Sequence, residues 1–233
     1  MNQAAVRDFF DGWATYEAIL DHGVMHHGGF FAAAAAALER DCGTRPLAVL
    51  DLGCGSARHA ARLFTGRPGT AYVGYDLSTT ALAAARATLT AAGVNPVLHA
   101  EDFRRGLAGP PDSVDLILCS YALHHLETTG KGAALAAARR RLRPGGRMLL
   151  IDVAQEAGET RAVTTDAYAT WVQRAWTFLP AAARRDIRAH LLTHDFPEQD
   201  ATLFRLARDA GWMEPAAIAR ERWHRAWWLR PAD

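Results

Sequence analysis

Lysine is nearly missing from these 233 residues: Lys131 stands alone, and arginine supplies the rest of the 26 basic side chains. Against 25 acidic residues they leave a formal net charge of +1, so the chain lacks the basic surplus with which nucleic-acid binders neutralise phosphates. Cysteine is scarce as well. Cys42, Cys54 and Cys119 are too unevenly spaced for a disulfide framework or a zinc site, and read as small buried residues in a reducing compartment. No window approaches the roughly 18 to 20 apolar residues needed to cross a bilayer, and the first residues lack the basic-then-apolar form of a signal peptide. These absences predict a soluble, cytoplasmic protein with no membrane or nucleic-acid partner, working as a monomer or homodimer.

Hydrophobic residues make up half the chain, enough for one large α/β domain with an appendage. Residues 1–45 read as helical, with Phe9, Phe10, Trp13 and Tyr16 on one face and Gly28-Gly29 as an interruption before an alanine-rich helix from Phe30 to Arg40. Such an arm cannot bury its aromatics alone and is predicted to fold over the remainder as a lid. From Pro46 on, short apolar runs alternate with helical patterns. Strands are predicted at 46–50, 71–75, 96–100, 114–119 and 147–153, and alternation of this kind implies a parallel sheet with right-handed crossovers. A helix from Lys131 to Arg143 precedes the last of these, its arginines read as a solvated end. Residues 154–196 break the rhythm with helices rich in Tyr168, Trp171, Trp176 and Phe178; a helix from Gln199 and two closing strands, near 214–219 and 223–229, complete the chain.

The most informative stretch is Val49-Leu50-Asp51-Leu52-Gly53-Cys54-Gly55-Ser56-Ala57-Arg58-His59. An unalternating apolar run suits a parallel strand covered on both faces. Gly53 and Gly55 allow a sharp turn and close approach of a ligand to the backbone, and a helix is predicted to begin at Arg58. This turn is followed in order by Gly74-Tyr75-Asp76-Leu77-Ser78, Glu101-Asp102-Phe103, Asp115 to Leu126 and Leu142-Arg143-Pro144-Gly145-Gly146. Together, over about residues 45–153, the set resembles class I S-adenosylmethionine-dependent methyltransferases.

That resemblance implies a Rossmann-like, seven-stranded, mostly parallel sheet flanked by helices, with an N-terminal helical lid (1–45) on a methyltransferase domain (46–233) and a helical insertion after strand 5 (154–196) facing the acceptor. It implies S-adenosylmethionine as cofactor and S-adenosylhomocysteine as product. Asp51, Gly53 and Gly55 would line the methionine part; Asp76 would accept from the ribose hydroxyls, each of which has a proton to donate; Leu77 would pack on the adenine. Asp102 would accept from the adenine amine, Phe103 would lend its amide, and Ser120 would face the methionine amino group through its backbone, with Tyr121 close by. Tyr16, in Trp13-Ala14-Thr15-Tyr16, resembles the aromatic residue that closes over the cofactor carboxylate. Many members carry a third glycine where this chain has Ala57, so a slightly altered turn is expected. A dinucleotide dehydrogenase would need a small residue at position 58, where Arg58 stands.

For the chemistry, His124 is the first candidate base because it follows strand 4. His125 is adjacent but would point elsewhere on a helix, and His194-Asp195 is a second pair. His22 and His26 have metal-ligand spacing, with His27 beside them, but no acidic cluster accompanies them, and no metal is expected. The predicted reaction is methylation of an oxygen or nitrogen of a small metabolite in a specialised biosynthetic pathway. Its alternatives are methylation of a peptide or protein side chain, which an open groove would favour, and a non-catalytic cofactor-binding protein, which an occluded site would favour. RNA methylation is disfavoured by the charge and by Ser120-Tyr121-Ala122-Leu123 standing where an Asn-Pro-Pro-Tyr-like stretch would be expected.

Overall fold

The computed structural model describes residues 13–232, with side chains from Thr15 onward, so Phe9, Phe10 and the side chain of Trp13 lie outside it. Strands β1 (Ala48–Leu52), β2 (Ala71–Asp76), β3 (Asn95–Ala100), β4 (Val114–Ser120), β5 (Leu142–Gln155), β7 (Ala216–Glu221) and β8 (His224–Leu229) form one sheet in the order β3-β2-β1-β4-β5-β8-β7. A two-residue β6 (Glu198–Gln199) pairs with β5 at its far end. The pairs from β3 through β5 are parallel, whereas β8 runs antiparallel to both β5 and β7. The mostly parallel Rossmann-like sheet is therefore present.

The order explains where a ligand can sit. The chain steps from β1 outward to β2 and β3, then returns to lay β4 on the other side of β1. At that reversal the connections leave in opposite directions and open a crevice at the strand carboxyl ends. In register, Leu50 stands between Val73 and Ile117 and Leu52 between Tyr75 and Cys119, so Gly53, Asp76 and Ser120 emerge side by side.

Both faces of the sheet are covered. Val49, Leu116 and Leu118 belong to one apolar cluster, Leu50, Leu52 and Ile117 to the other. Trp227 and Trp228 follow the same alternation and fall in opposite clusters, which confirms them as core. Helices α1 (Trp13–Asp21) and α2 (His27–Cys42) precede the sheet; α3 (Thr79–Ala91), α4 (Arg104–Leu107) and α5 (Thr128–Arg141) connect its strands. The segment after β5 forms α6 (Arg161–Ala175) and α7 (Ala181–His194), and α8 (Asp200–Asp209) follows β6. Cys42, Cys54 and Cys119 are unpaired.

Several local expectations are corrected. The predicted helix from Arg58 is only a 3-10 turn, Ala60–Leu63. Gly55 and Ala57 both adopt left-handed backbone, and Gly66 and Gly69 do so soon after, leaving too short a run to nucleate an α-helix. Ala57, at φ 52°, takes the conformation that a third glycine would adopt more cheaply. Gly28-Gly29 lie inside the first turn of α2, and the break comes earlier, at Gly23 and His26, both with positive φ. The arginine-rich end of α5 is only partly solvated: Arg141 is buried, donating to Ser113 Oγ at 2.9 Å and to the Gly106 carbonyl. Lys131 is buried too, its ammonium donating to the carbonyls of Leu126 and Phe196 and standing 3.3 Å from Glu198.

Ser78 caps α3 by accepting from the Ala81 amide at 3.2 Å. Ser78→Ala is expected to lower unfolding free energy by about 1 kcal/mol in a urea titration, with the slope of the transition unchanged.

Candidate active site

One cavity lies over the carboxyl ends of β1, β2 and β4. Of the sequence-predicted cofactor residues, Tyr16, Gly53, Gly55, Asp76, Leu77, Asp102, Phe103, Ser120 and Tyr121 all line it, and Asp51 does not. The glycine turn is tight for a steric reason. Gly53 and Gly55 have φ of 74° and 51°; a β-carbon on Gly53 would lie 2.7 Å from Ala122 Cβ, and one on Gly55 2.6 Å from the Tyr16 hydroxyl. Tyr16 thus reaches over the turn from α1, and burial together with the Asp76 charge raises its phenol above the usual range.

Asp76 is held from both sides. Its Oδ2 accepts from the Gly55 amide at 2.8 Å and its Oδ1 from the Ser78 amide at 2.9 Å; a carboxylate oxygen can accept more than one donor. Asp102 is clamped by Arg104, whose Nη2 and Nε donate to it at 2.7 and 2.9 Å and whose amide donates at 2.8 Å. Any bond from Asp102 to a ligand amine is therefore shared with a guanidinium. Ser120 Oγ is buried without a hydrogen-bond partner among the described residues, as suits a site that receives a polar ligand. Tyr121 takes left-handed backbone at φ 53° and donates its hydroxyl to the Met25 carbonyl, tying the end of β4 to the segment before α2.

Asp51 sits beneath the turn, buried, and accepts from the Tyr72 hydroxyl at 2.6 Å. Burial raises its carboxyl to about 7, with the Tyr72 bond opposing.

The other end of the cavity carries imidazoles and a carboxylate. His124 and His125 occupy a 3-10 turn after β4, and both line the cavity, so the expectation that His125 points away is not met. His194 is not a lining residue; as the last residue of α7 it contributes a carbonyl 3.4 Å from His125 Nδ1, while Asp195, the next residue, enters the site. The sequence reading missed Asp152 and His190. Asp152, near the end of β5, accepts from the His124 amide at 2.9 Å and pairs with His124 Nδ1; its position at the carboxyl end of a strand was a readable signal. His190 comes from α7, where nothing in the local pattern marked it. Burial lowers His124, but Asp152 and Asp195 more than offset this, so its net shift is upward. Burial and the neighbouring His124 lower His125, and burial lowers His190 to about 4. Between the two ends the wall is apolar: Met25, Tyr168, Trp176, Ile187 and Leu191 line it, whereas Trp171 and Phe178 pack behind.

Residues 49–146 match a family model described as a methyltransferase domain. Over this segment the chain is similar to methyltransferase domains. A ribosomal RNA large subunit methyltransferase from Streptomyces coelicolor is 37% identical over 145 residues, which are 55% of this chain and 37% of that protein's length. Likeness to solved structures over nearly the whole chain shows the fold alone. Magnesium protoporphyrin IX methyltransferase from Synechocystis, solved with S-adenosylhomocysteine, aligns over 100% of both chains at TM-score 0.69 and 17% identity. The 1,6-didemethyltoxoflavin N1-methyltransferase of Burkholderia thailandensis aligns over 99% of this chain and 88% of its own at TM-score 0.64 and 18% identity.

The buried Asp51 makes a linkage prediction. Its folded pKa, about 7, stands above the ordinary 3.8, so its proton is held more tightly in the folded state. Its contribution is full below about pH 4 and is lost as pH rises to about 7. In urea titrations across that window, Asp51→Asn should flatten the decline of stability seen in the parent; an unchanged slope would refute the assignment.

Proposed function

We propose that the protein transfers the methyl group of S-adenosylmethionine to an oxygen or nitrogen of a small, largely apolar metabolite, as a soluble enzyme of the cytoplasm. The observation carrying this reading is the division of one cavity into a glycine-and-carboxylate end and an apolar compartment closed off by histidines and Asp195. When bound, S-adenosylmethionine supplies an electrophilic methyl carbon on a sulfonium sulfur.

On this reading Gly53 and Gly55 let the main chain approach the methionine portion, and Ser120 Oγ gains a polar partner. Asp76, fixed by two amides, receives the ribose hydroxyls; Leu77 and Phe103 flank the adenine, and Asp102 meets its amine while shared with Arg104. Asp51 supports the turn through Tyr72 instead of touching the ligand. Residues 13–42 act as the lid, with Tyr16 reaching over the glycine turn. Tyr168 and Trp176 offer flat apolar surface to a planar acceptor, and α6 and α7 wall the compartment in which water is excluded. Positioning of this kind can supply roughly 7–11 kcal/mol of a displacement barrier. The acceptor's proton is lost at the imidazole end, where His124 is anchored by Asp152.

The likeness to a ribosomal RNA methyltransferase favours a second reading, in which the acceptor is RNA. The near-neutral charge and the apolar acceptor compartment favour the small molecule. Incubation with methyl-labelled cofactor and either a metabolite extract or purified ribosomal RNA separates them: label in the small-molecule fraction is expected, and label confined to RNA overturns the assignment. In calorimetry S-adenosylhomocysteine should bind, and Asp76→Ala should weaken it at least about tenfold, equivalent to 1.4 kcal/mol; unchanged affinity removes the ribose role. His124→Ala is expected to reduce kcat by about 10²- to 10⁴-fold while leaving cofactor affinity intact.

A further inference from the structure

The polar end of the cavity contains more ligating atoms than proton transfer requires. His124 and His125 leave the end of β4 together, and Asp195 arrives from the end of α7; all three are buried and line the cavity. One nitrogen of each imidazole and one carboxylate oxygen lie within 4.8 Å of one another. The individual separations are instructive. His125 Nδ1 is 3.4 Å and His124 Nε2 3.7 Å from Asp195 Oδ1, longer than the roughly 2.7–2.9 Å of a charge-assisted N–H···O bond. They are close to the distance between neighbouring ligands around one ion: tetrahedral bonds of about 2.0–2.2 Å place adjacent donor atoms about 3.3–3.6 Å apart.

The surroundings fit the same purpose. A metal-bound imidazole ordinarily gives its other N–H to a carboxylate, which sets the tautomer and aims the ligating nitrogen. His124 does this: Nδ1 is engaged by Asp152, and Nε2 is the nitrogen facing Asp195. Asp152 is itself fixed, accepting from the amides of His124 and Val153, each at 2.9 Å. His190 Nε2 lies 3.5 Å from the same Asp195 oxygen, which places a third imidazole beside it.

We propose that His124, His125 and Asp195 form a binding site for a divalent transition-metal ion, with open coordination positions directed into the acceptor compartment. Two imidazoles with one carboxylate select ions such as Zn²⁺, Fe²⁺ or Co²⁺ over Mg²⁺ and Ca²⁺, which take oxygen ligands. Three protein ligands leave room for a fourth donor. An acceptor hydroxyl or amine is the donor the compartment would present, a point that rests on the methyl-transfer reading; the metal site itself does not, and with the ion bound both His124 nitrogens are engaged, so His124 then serves as ligand in place of base. This departs from the expectation that no metal is bound, because that expectation considered only ligands spaced along one segment.

The test uses the full chain, treated with chelator and then titrated with Co²⁺ without cofactor, following visible d–d absorption. One saturating equivalent with a low-coordinate spectrum is expected, and calorimetry with Zn²⁺ should give the same stoichiometry. Asp195→Asn and His125→Gln should each weaken binding at least tenfold, and Asp152→Asn by about 10- to 100-fold. Circular dichroism and S-adenosylhomocysteine affinity report whether each variant is folded. His26→Gln with His27→Gln controls for the other histidine group, and should leave Co²⁺ affinity unchanged. No saturable Co²⁺ binding by the parent, or binding abolished by the His26 and His27 changes but not by Asp195→Asn, overturns the proposal. Co²⁺ binding by a parent that fails to bind S-adenosylhomocysteine would uphold the metal site and refute the cofactor reading.

Discussion

The carboxylate of Asp76 joins two backbone amides that belong to different connections, Gly55 after β1 and Ser78 at the start of α3. Charge-assisted bonds to main-chain N–H groups are among the stronger contacts available to a carboxylate, and here they set the gap between the first two strand ends. The glycine turn pinned at this point closes against Ala122 on one side and passes under Tyr16 on the other. The residue assigned to the ligand's ribose is thus also the residue that shapes the turn receiving the methionine part, so loss of Asp76 disturbs both.

The cofactor end and the polar end differ in how the chain builds them. At the first, each group comes at the end of a successive strand, and backbone geometry does most of the positioning. At the second, side chains from the turn after β4 and from α7 converge on Asp195 while Asp152 of β5 holds His124, and position depends on how the segment after β5 packs. That packing is carried by aromatic contacts such as Tyr168 on Trp223 and Trp171 against Trp176. A shift in this region would alter the acceptor compartment while leaving the glycine turn undisturbed.

This difference also explains what could be read from the sequence. The parallel sheet, the turn, Asp76, Asp102 and Ser120 were legible because strand, turn and acid are contiguous, each within a few residues. Asp51 was legible as an acid at a strand end but not as one turned beneath the turn, since its partner Tyr72 is on another strand. The placing of His194 in the site, and the reading of His125 as turned away, failed because helix ends and a 3-10 turn rotate side chains by amounts that spacing alone does not specify. Asp152 was visible as a residue and overlooked as a partner, because its relation to His124 exists only across the β4–β5 pair.

Lys131 gives the polar end a chemical property of its own. Its amine is spent on main-chain carbonyls of Leu126 and Phe196, stapling the loop after β4 to the stretch that follows Asp195, and burial lowers its affinity for a proton. No second lysine exists in the chain. Reagents that acylate primary amines therefore meet no exposed lysine among the described residues, and acylation of Lys131 would report the opening of the loop after β4.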